Sequence, residues 1–162
     1  MKKFVLFLFA GVLVLLAACN KKETPVNGVN VDLSVGLSYV DQNGNDLLSP
    51  DNPQAYKLND FRLYYMKNGK KTLYFMSNYD DPYGYTKAWY YPVSGLYRFD
   101  MAFPADSCTL LQLSDGTVDT FKINVLRKGG NQLVQKIWIN DSLVWQTSSL
   151  TEHYIVVKKK AQ

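Results

Sequence analysis

The sequence predicts an all-β protein, folded as an antiparallel β-sandwich, and three observations support this. Residues 29–39 alternate strictly between apolar and polar side chains, which indicates a strand with one buried face. Tight-turn sequences separate the later apolar runs, at Asn68-Gly69, Asp115-Gly116, Gly129-Gly130 and Asn140-Asp141. No segment has a helical repeat with caps at both ends, and successive hairpins leave little room for parallel crossovers.

Taken in order, the predicted strands are short and turn formers separate them. Pro50 and Pro53 keep the stretch before the second strand irregular, and residues 80–84 have turn chemistry. The strands are expected at residues 29–39, 58–66, 71–77, 88–91, 96–103, 108–113, 118–126, 133–139, 143–145 and 153–158. Eight to ten such strands are typical of a sandwich or barrel, and we expect the immunoglobulin-like or prealbumin-like type.

The N-terminus has the layout of an export signal. Lys2 and Lys3 give a positive start, residues 4–16 are apolar except for one glycine, and small residues precede Cys19. A transmembrane helix needs about 20 apolar residues, and this run is shorter and ends at a polar segment. Residues 1–18 are therefore predicted to be removed.

The sequence Leu16-Ala17-Ala18-Cys19 resembles the lipobox of bacterial lipoproteins. The resemblance implies that Cys19 becomes the first residue of the mature chain and carries a diacylglycerol. Two or more acyl chains hold a protein stably on a membrane, whereas one holds it marginally. We expect a polar tether over residues 19–28 and a single β-sandwich domain over residues 29–162.

The residues after Cys19 bear on location. In lipoproteins of the enteric type, Asp at the next position retains the protein in the inner membrane, and here that position is Asn20. Similarity therefore predicts a lipid-anchored protein of the cell envelope, in the outer membrane. Surface-exported lipoproteins of Bacteroidetes carry an acidic stretch after the cysteine, and residues 20–23 contain only Glu23, so the periplasmic or surface face stays open.

Charge and cysteine content exclude several functions. The net charge of +4 falls to +2 once Lys2 and Lys3 leave with the signal, and no basic stripe indicates a nucleic-acid partner. With Cys19 acylated, only Cys108 remains, so no intramolecular disulfide, zinc finger or iron–sulfur cluster can form. We expect no cofactor. The lysines at residues 158–160 are expected to form a solvated tail.

Nothing in the sequence favours catalysis, and we expect a non-enzymatic protein. His153 is the only histidine, so a Ser-His or Cys-His device would have to use it, with Cys108 as the candidate thiol. A half-exposed structural histidine and a buried structural cysteine are the ordinary interpretation of both residues. The acidic residues lie mainly in turns, which does not favour the paired carboxylates of glycoside hydrolysis.

One loop has the donors of a calcium site. Oxygen-bearing side chains occur at Asp41, Asn43, Asn45 and Asp46. Glycine falls at position 4 instead of 6, and position 12 is Asn52 instead of glutamate, so the loop departs from the EF-hand pattern. We expect a solvated turn in which these side chains bond their own backbone, and keep the loop as a weak metal candidate.

The most aromatic stretch covers residues 79–97. Three interpretations stay open: rings that pack the core, a protein-binding patch, and a glycan-binding groove in which sugars stack on the rings. The predicted binding surface consists of Tyr79, Tyr83, Tyr85, Trp89, Tyr90 and Tyr91, with Tyr97 beside it.

Four segments together resemble small lipoproteins that are common in Bacteroidetes and mostly of unknown function. They are Asp-Gln-Asn-Gly-Asn-Asp-Leu-Leu, Leu-Ser-Asp-Gly-Thr-Val-Asp-Thr, Lys-Ile-Trp-Ile-Asn-Asp-Ser-Leu-Val-Trp and the final Tyr-Ile-Val-Val-Lys. The resemblance implies a fold and a compartment, and no catalytic residues. We therefore expect an envelope protein that presents a recognition or accessory-subunit surface to another envelope protein. The alternative is a glycan-binding accessory lipoprotein of a polysaccharide-uptake system.

Overall fold

The computed structural model describes residues 29–104, 108–147 and 152–159, and these residues form an all-β fold. One 3-10 turn, Leu58–Asp60, precedes the third strand. The eleven strands of the described residues are Val31–Asp32 (β1), Ser34–Val40 (β2), Arg62–Lys67 (β3), Lys70–Leu73 (β4), Trp89–Tyr91 (β5), Leu96–Ala102 (β6), Thr109–Gln112 (β7), Val118–Lys128 (β8), Asn131–Ile139 (β9), Ser142–Gln146 (β10) and Tyr154–Lys158 (β11).

The strands form two sheets. The larger has seven strands in the order β1-β9-β8-β7-β3-β4, with β10 also paired to β9. The smaller has four strands in the order β11-β2-β6-β5. Each sheet contains one parallel pair, β1 with β9 and β11 with β2, and the other pairs are antiparallel. The expectation of a purely antiparallel sandwich is therefore wrong: both sheets are mixed.

One apolar core lies between the sheets, an arrangement compatible with a β-sandwich. Strands β2 and β6 contribute Leu37 and Phe99 from the smaller sheet, and β8 contributes Phe121 from the larger. Ring contacts cross between the layers, since Phe61 lies 5.7 Å from Phe99 and Phe103 lies 6.0 Å from Phe121, centre to centre. These rings remove a large apolar area from water and supply the main stabilising term of the fold.

The first predicted strand divides into two. Residues 31–32 pair with β9 of the larger sheet, whereas residues 34–40 pair with β6 and β11 of the smaller one. The chain changes sheets at Leu33, so the alternating pattern continues while the hydrogen-bonding partners change. The expected buried face is present only in the second half, where Val35, Leu37 and Tyr39 are buried, whereas Val31 of the first half is 55% exposed.

The four predicted hairpin turns are confirmed. Asn68 (φ 51°) and Gly69 (φ 73°) join β3 to β4, both in the left-handed region that an Asn-Gly turn requires. The partner strand ends at Leu73, however, and not at residue 77 as the sequence predicts. The chain then leaves the larger sheet and crosses to the edge of the smaller one, where Tyr85 bridges to Met101.

In the part of the chain that the structure describes, no helix has the length and apolar character needed to cross a membrane.

Candidate functional site

The predicted aromatic surface divides into an exposed group, a caged group and a core group. The exposed group lies on the segment that crosses between the sheets, and we name it the aromatic ridge: Phe75, Met76, Tyr79 and Tyr83. Their exposed fractions are 56%, 46%, 66% and 46%. The rings of Phe75 and Tyr83 are 5.4 Å apart, and the Met76 amide donates to the Pro82 carbonyl at 2.8 Å, so the ridge is one connected surface.

Phe75 and Met76 were not among the predicted binding residues. The sequence places them inside a strand, where one of two neighbours would face the core. Because β4 ends at Leu73, both side chains instead face solvent. The signal that could have found them is Pro82 with Gly84, whose turn draws residues 75–83 away from the sheet.

Tyr85 belongs to the core, not to the surface. Its ring packs between Phe61 and Phe99, at 6.2 and 6.1 Å between centres. Its hydroxyl donates to the Phe61 carbonyl at 2.9 Å and lies 3.2 Å from the Leu58 carbonyl. Burial raises the pKa of Tyr85. For Tyr85, the interpretation as a core-packing ring therefore applies. The ring of Tyr83 stacks on that of Tyr85, at 6.4 Å between centres.

A second group of rings surrounds Arg98 of β6. The guanidinium carbon lies 4.9 Å from the Trp89 ring centre, 4.6 Å from Tyr91 and 5.5 Å from Tyr154. The arginine is buried, and its cation is satisfied by Asp100 at 2.6 Å and by Glu152. Rings around a cation form an aromatic cage, and this cage holds the protein's own arginine.

The electrostatics of the cage hold Glu152 ionised. Its carboxylate accepts a hydrogen bond from the Tyr91 hydroxyl at 2.5 Å and pairs with Arg98, and both contacts lower the pKa of Glu152. The same hydrogen bond raises the pKa of Tyr91. Burial disfavours the charged Arg98, but hydrogen bonds to Glu152 and Asp100 outweigh that and raise its pKa. Trp89 and Tyr91 are therefore partners of Arg98, and Trp89 is also 41% exposed. Tyr90 is 52% exposed and contacts Tyr97 at 5.7 Å.

Two shallow grooves flank the ridge. One, of about 390 Å³, has Tyr79, Asp80, Asp81 and Asp100 among its lining residues. The other, of about 480 Å³, adds Asn59, Arg62 and Lys87 beside Tyr83. An exposed ring beside carboxylates and amides can stack on a sugar face and accept hydrogen bonds from its hydroxyls. The Tyr83 ring has two aromatic neighbours, Phe75 and Tyr85, and is less exposed than Tyr79, so Tyr79 is the ring more open to stacking.

In the loop that is the weak metal candidate, the carboxylate oxygens accept hydrogen bonds from nitrogen atoms of the protein itself. Asp41 accepts from the backbone amides of Asn43 and Asn45 at 2.8 Å and from the Asn45 side chain at 2.7 Å. These bonds, led by the Asn45 side chain, lower the pKa of Asp41. Asp46 accepts from the amides of Leu48 and Tyr97. Among the described residues no group of three or more His, Cys, Asp or Glu side chains could hold a metal ion.

The candidate catalytic pair does not come together. His153 packs its ring on Trp145 at 4.6 Å, and its Nδ1 lies 3.1 Å from the Ser34 carbonyl oxygen. Cys108 precedes β7 in the larger sheet, where its carbonyl accepts from the Met66 amide. The histidine therefore contacts the smaller sheet and β10, and the cysteine lies beside β3.

A buried polar network that includes Lys159 was not predicted from the sequence. Asp119 of β8 is fully buried and accepts from the Tyr39 hydroxyl at 2.9 Å, the Asn140 side-chain Nδ2 at 2.9 Å and Lys159 Nζ at 2.8 Å. The expectation of a solvated tail is wrong for Lys159, whose side chain is 18% exposed. Burial, followed by the Asp119 charge, raises the pKa of Tyr39.

The predicted signal, Cys19 and the tether lie outside the described residues. No protein-family model, curated protein or solved structure matches the chain. Its function must therefore be inferred from its own residues.

Proposed function

We propose that this chain is a non-enzymatic, lipid-anchored protein of the bacterial cell envelope, and that the aromatic ridge is its contact surface for another envelope protein. The observation that carries the proposal is the exposure of four large apolar side chains within nine residues of one crossing segment. An exposed apolar patch of this kind is typical of an interaction site, because it lowers solubility unless a partner covers it. Tyrosine is also enriched among the residues that dominate binding energy at protein interfaces.

The aromatic ridge packs on core residues, which favours binding through a surface that is already formed before the partner arrives. Tyr83 stacks on Tyr85, which is fixed by two backbone carbonyls, and Phe75 packs on Tyr83. Rings held in place lose little conformational entropy on binding, so more of their contact energy appears as affinity.

The anchor is proposed from Cys19 and the apolar run before it. Replacement of Cys19 by alanine should release the protein from the membrane fraction, because the acyl chains would be missing. Asn20 in place of aspartate supports the outer membrane as the destination. For the finer fold class we propose the immunoglobulin-like or prealbumin-like type, supported by two sheets that share one core.

The test is photo-cross-linking in living cells, with a photoreactive amino acid at Tyr79 and separately at Tyr83. We expect one discrete cross-linked protein from each position. Val93 is a matched control, because it is 82% exposed but lies in the turn after β5, away from the ridge. Absence of a product at both ridge positions, or the same product from Val93, would contradict the proposal.

A glycan is the second candidate ligand, favoured by the groove in which Tyr79 lies beside Asp80, Asp81 and Asp100. A saccharide should bind the purified protein without any protein partner, and Tyr79→Ala should abolish that binding. Tyr90→Ala is the control, since Tyr90 is similarly exposed but lies on β5. A glycan array without binding, together with a cross-linked protein, would favour the protein partner.

A further inference from the structure

The strand directions place the start of the described chain at one end of the molecule. The Asn30 amide donates to the Asn131 side chain at 2.7 Å, and the Asn30 carbonyl accepts from the Gln132 amide at 2.9 Å. Val29 packs on Gly130, where an added Cβ would come within 3.2 Å of it. The chain therefore enters the fold at the tip of the β8–β9 hairpin, which we name the entry tip: residues 126–131 with Val29 and Val31.

The entry tip protrudes from the larger sheet. The register aligns Tyr65 of β3 with Thr109 of β7 and Phe121 of β8. Lys67, the last residue of β3, is thus level with Ile123, and β8 continues for five residues to Lys128. At about 3.3 Å per residue, the entry tip extends about 16 Å beyond the β3–β4 hairpin.

The side chains of the entry tip combine apolar and basic character. Val29, Val31 and Leu126 are exposed large apolar residues. Arg127 and Lys128 are exposed bases beside them, and residues 126–131 contain no acid. Set further back at the same end, the β3–β4 hairpin adds Lys67, Lys70 and Lys71.

The opposite end of the molecule carries both acidic and basic side chains. The turn between β7 and β8 carries Asp115, and the turn between β9 and β10 carries Asp141. Asp41, Asp60 and Asp115 line one cavity there, together with Lys57 and Lys159. The sequence of residues 126–131 therefore contains basic residues and no acidic one, whereas the opposite end carries side chains of both signs.

We propose that the entry tip rests on the membrane that holds the acyl chains, with Val29, Val31 and Leu126 in the headgroup region and Lys128 against anionic lipid headgroups. This inference rests on the anchor proposed above. Residues 20–28 separate Cys19 from Val29, a length of chain that spans at most about 35 Å even when fully extended. Amphipathic surfaces with basic residues bind such interfaces by apolar burial and by attraction to anionic lipid.

The test uses the full acylated chain in vesicles of phosphatidylcholine with phosphatidylglycerol. A photoreactive amino acid is placed at Leu126 and separately at Val118, a matched site because both are exposed apolar residues of β8, about 26 Å apart along the strand. We expect lipid adducts from Leu126 and not from Val118. Equal adduct yields at the two sites, or a protein adduct at Leu126, would overturn the proposal.

Charge reversal tests the headgroup contact. Lys128→Glu should lower the Leu126 lipid adduct at least about fivefold, the factor for one basic residue near an anionic surface. Lys158→Glu, an exposed lysine of β11, should leave the adduct unchanged. An unchanged adduct in Lys128→Glu would overturn the proposal.

Mass spectrometry of the same preparation separates the two proposals. A chain without lipid on Cys19 contradicts the anchor and removes the basis of this contact. An acylated chain without the Leu126 adduct contradicts only the contact of the entry tip.

Discussion

The Nζ atom of Lys159 lies 2.8 Å from an Asp119 carboxylate oxygen, in an ion pair that joins the end of the last strand to β8. The carboxylate is 2% exposed, so it depends on its partners for the charge that water would otherwise stabilise. The same carboxylate accepts from Tyr39 of β2, which places one polar network between the two sheets.

We expect Lys159→Met to lower the free energy of unfolding by about 3–5 kcal/mol, because it leaves a buried carboxylate without its cation. Chemical denaturation at neutral pH measures this. Lys122→Met is the control, since Lys122 and Asp141 form a pair of exposed side chains that is worth about 0–1 kcal/mol. A similar loss in both variants would show that the burial of Asp119 has no special cost.

The Glu152 contacts predict a pH dependence of stability. Its pKa is lowered in the folded state by Tyr91 and Arg98, so its contribution is present above the ordinary glutamate pKa and is lost as the pH falls through the lowered pKa. Wild type should therefore exceed Glu152→Gln in stability most at neutral pH, and the difference should shrink on acidification below about pH 4. Denaturation curves from pH 7 to pH 3 measure it, and a difference that grows with acid would contradict it.

Gly36 is required by the closeness of Arg98. A Cβ at residue 36 would lie 2.7 Å from the guanidinium carbon, closer than real contacts allow. Gly36→Ala should therefore cost about 1–3 kcal/mol of stability, as overpacking does in well-packed interiors. The same substitution in an Arg98→Ala background should cost less, and equal costs in the two backgrounds would show that Arg98 is not the obstacle.

The aromatic stretch should separate into residues that stabilise the fold and residues that do not. Tyr85→Phe should cost about 1 kcal/mol, since it removes the hydrogen bond that the hydroxyl donates to the Phe61 carbonyl. Tyr79→Ser should change stability by less than about 0.5 kcal/mol, because the side chain is exposed. Thermal unfolding of the two variants compares them, and a larger loss in Tyr79→Ser would place Tyr79 in the core.

The hairpins were predictable from the sequence because their determinants are local. Asn68-Gly69 and Asn140-Asp141 place residues at positive φ where Asn, Asp and Gly tolerate it, and the flanking runs then pair. The parallel pairs were not predictable in this way. Gly36 and Tyr154 are neighbours in the smaller sheet although most of the chain separates them, and no turn sequence specifies that contact.

In the aromatic stretch, too, the local sequence does not determine which single residues are buried. Tyr83 and Tyr85 have similar sequence surroundings, yet one is exposed and the other packs on Phe99. The position of the crossing segment between the sheets decides this difference. The cage has a further non-local cause, since Arg98 meets Glu152 from a distant part of the chain.

The pairing of β11 with β2 makes residues 154–158 necessary for the fold. Until residues 152–159 are present, the smaller sheet lacks an edge strand and Asp119 lacks its cation. Contacts between the two ends of a chain form late in folding, since a long loop must close first. A protein exported as proposed here would thus complete its fold only after residues 152–159 had crossed the membrane, so its topology would delay premature folding during transport.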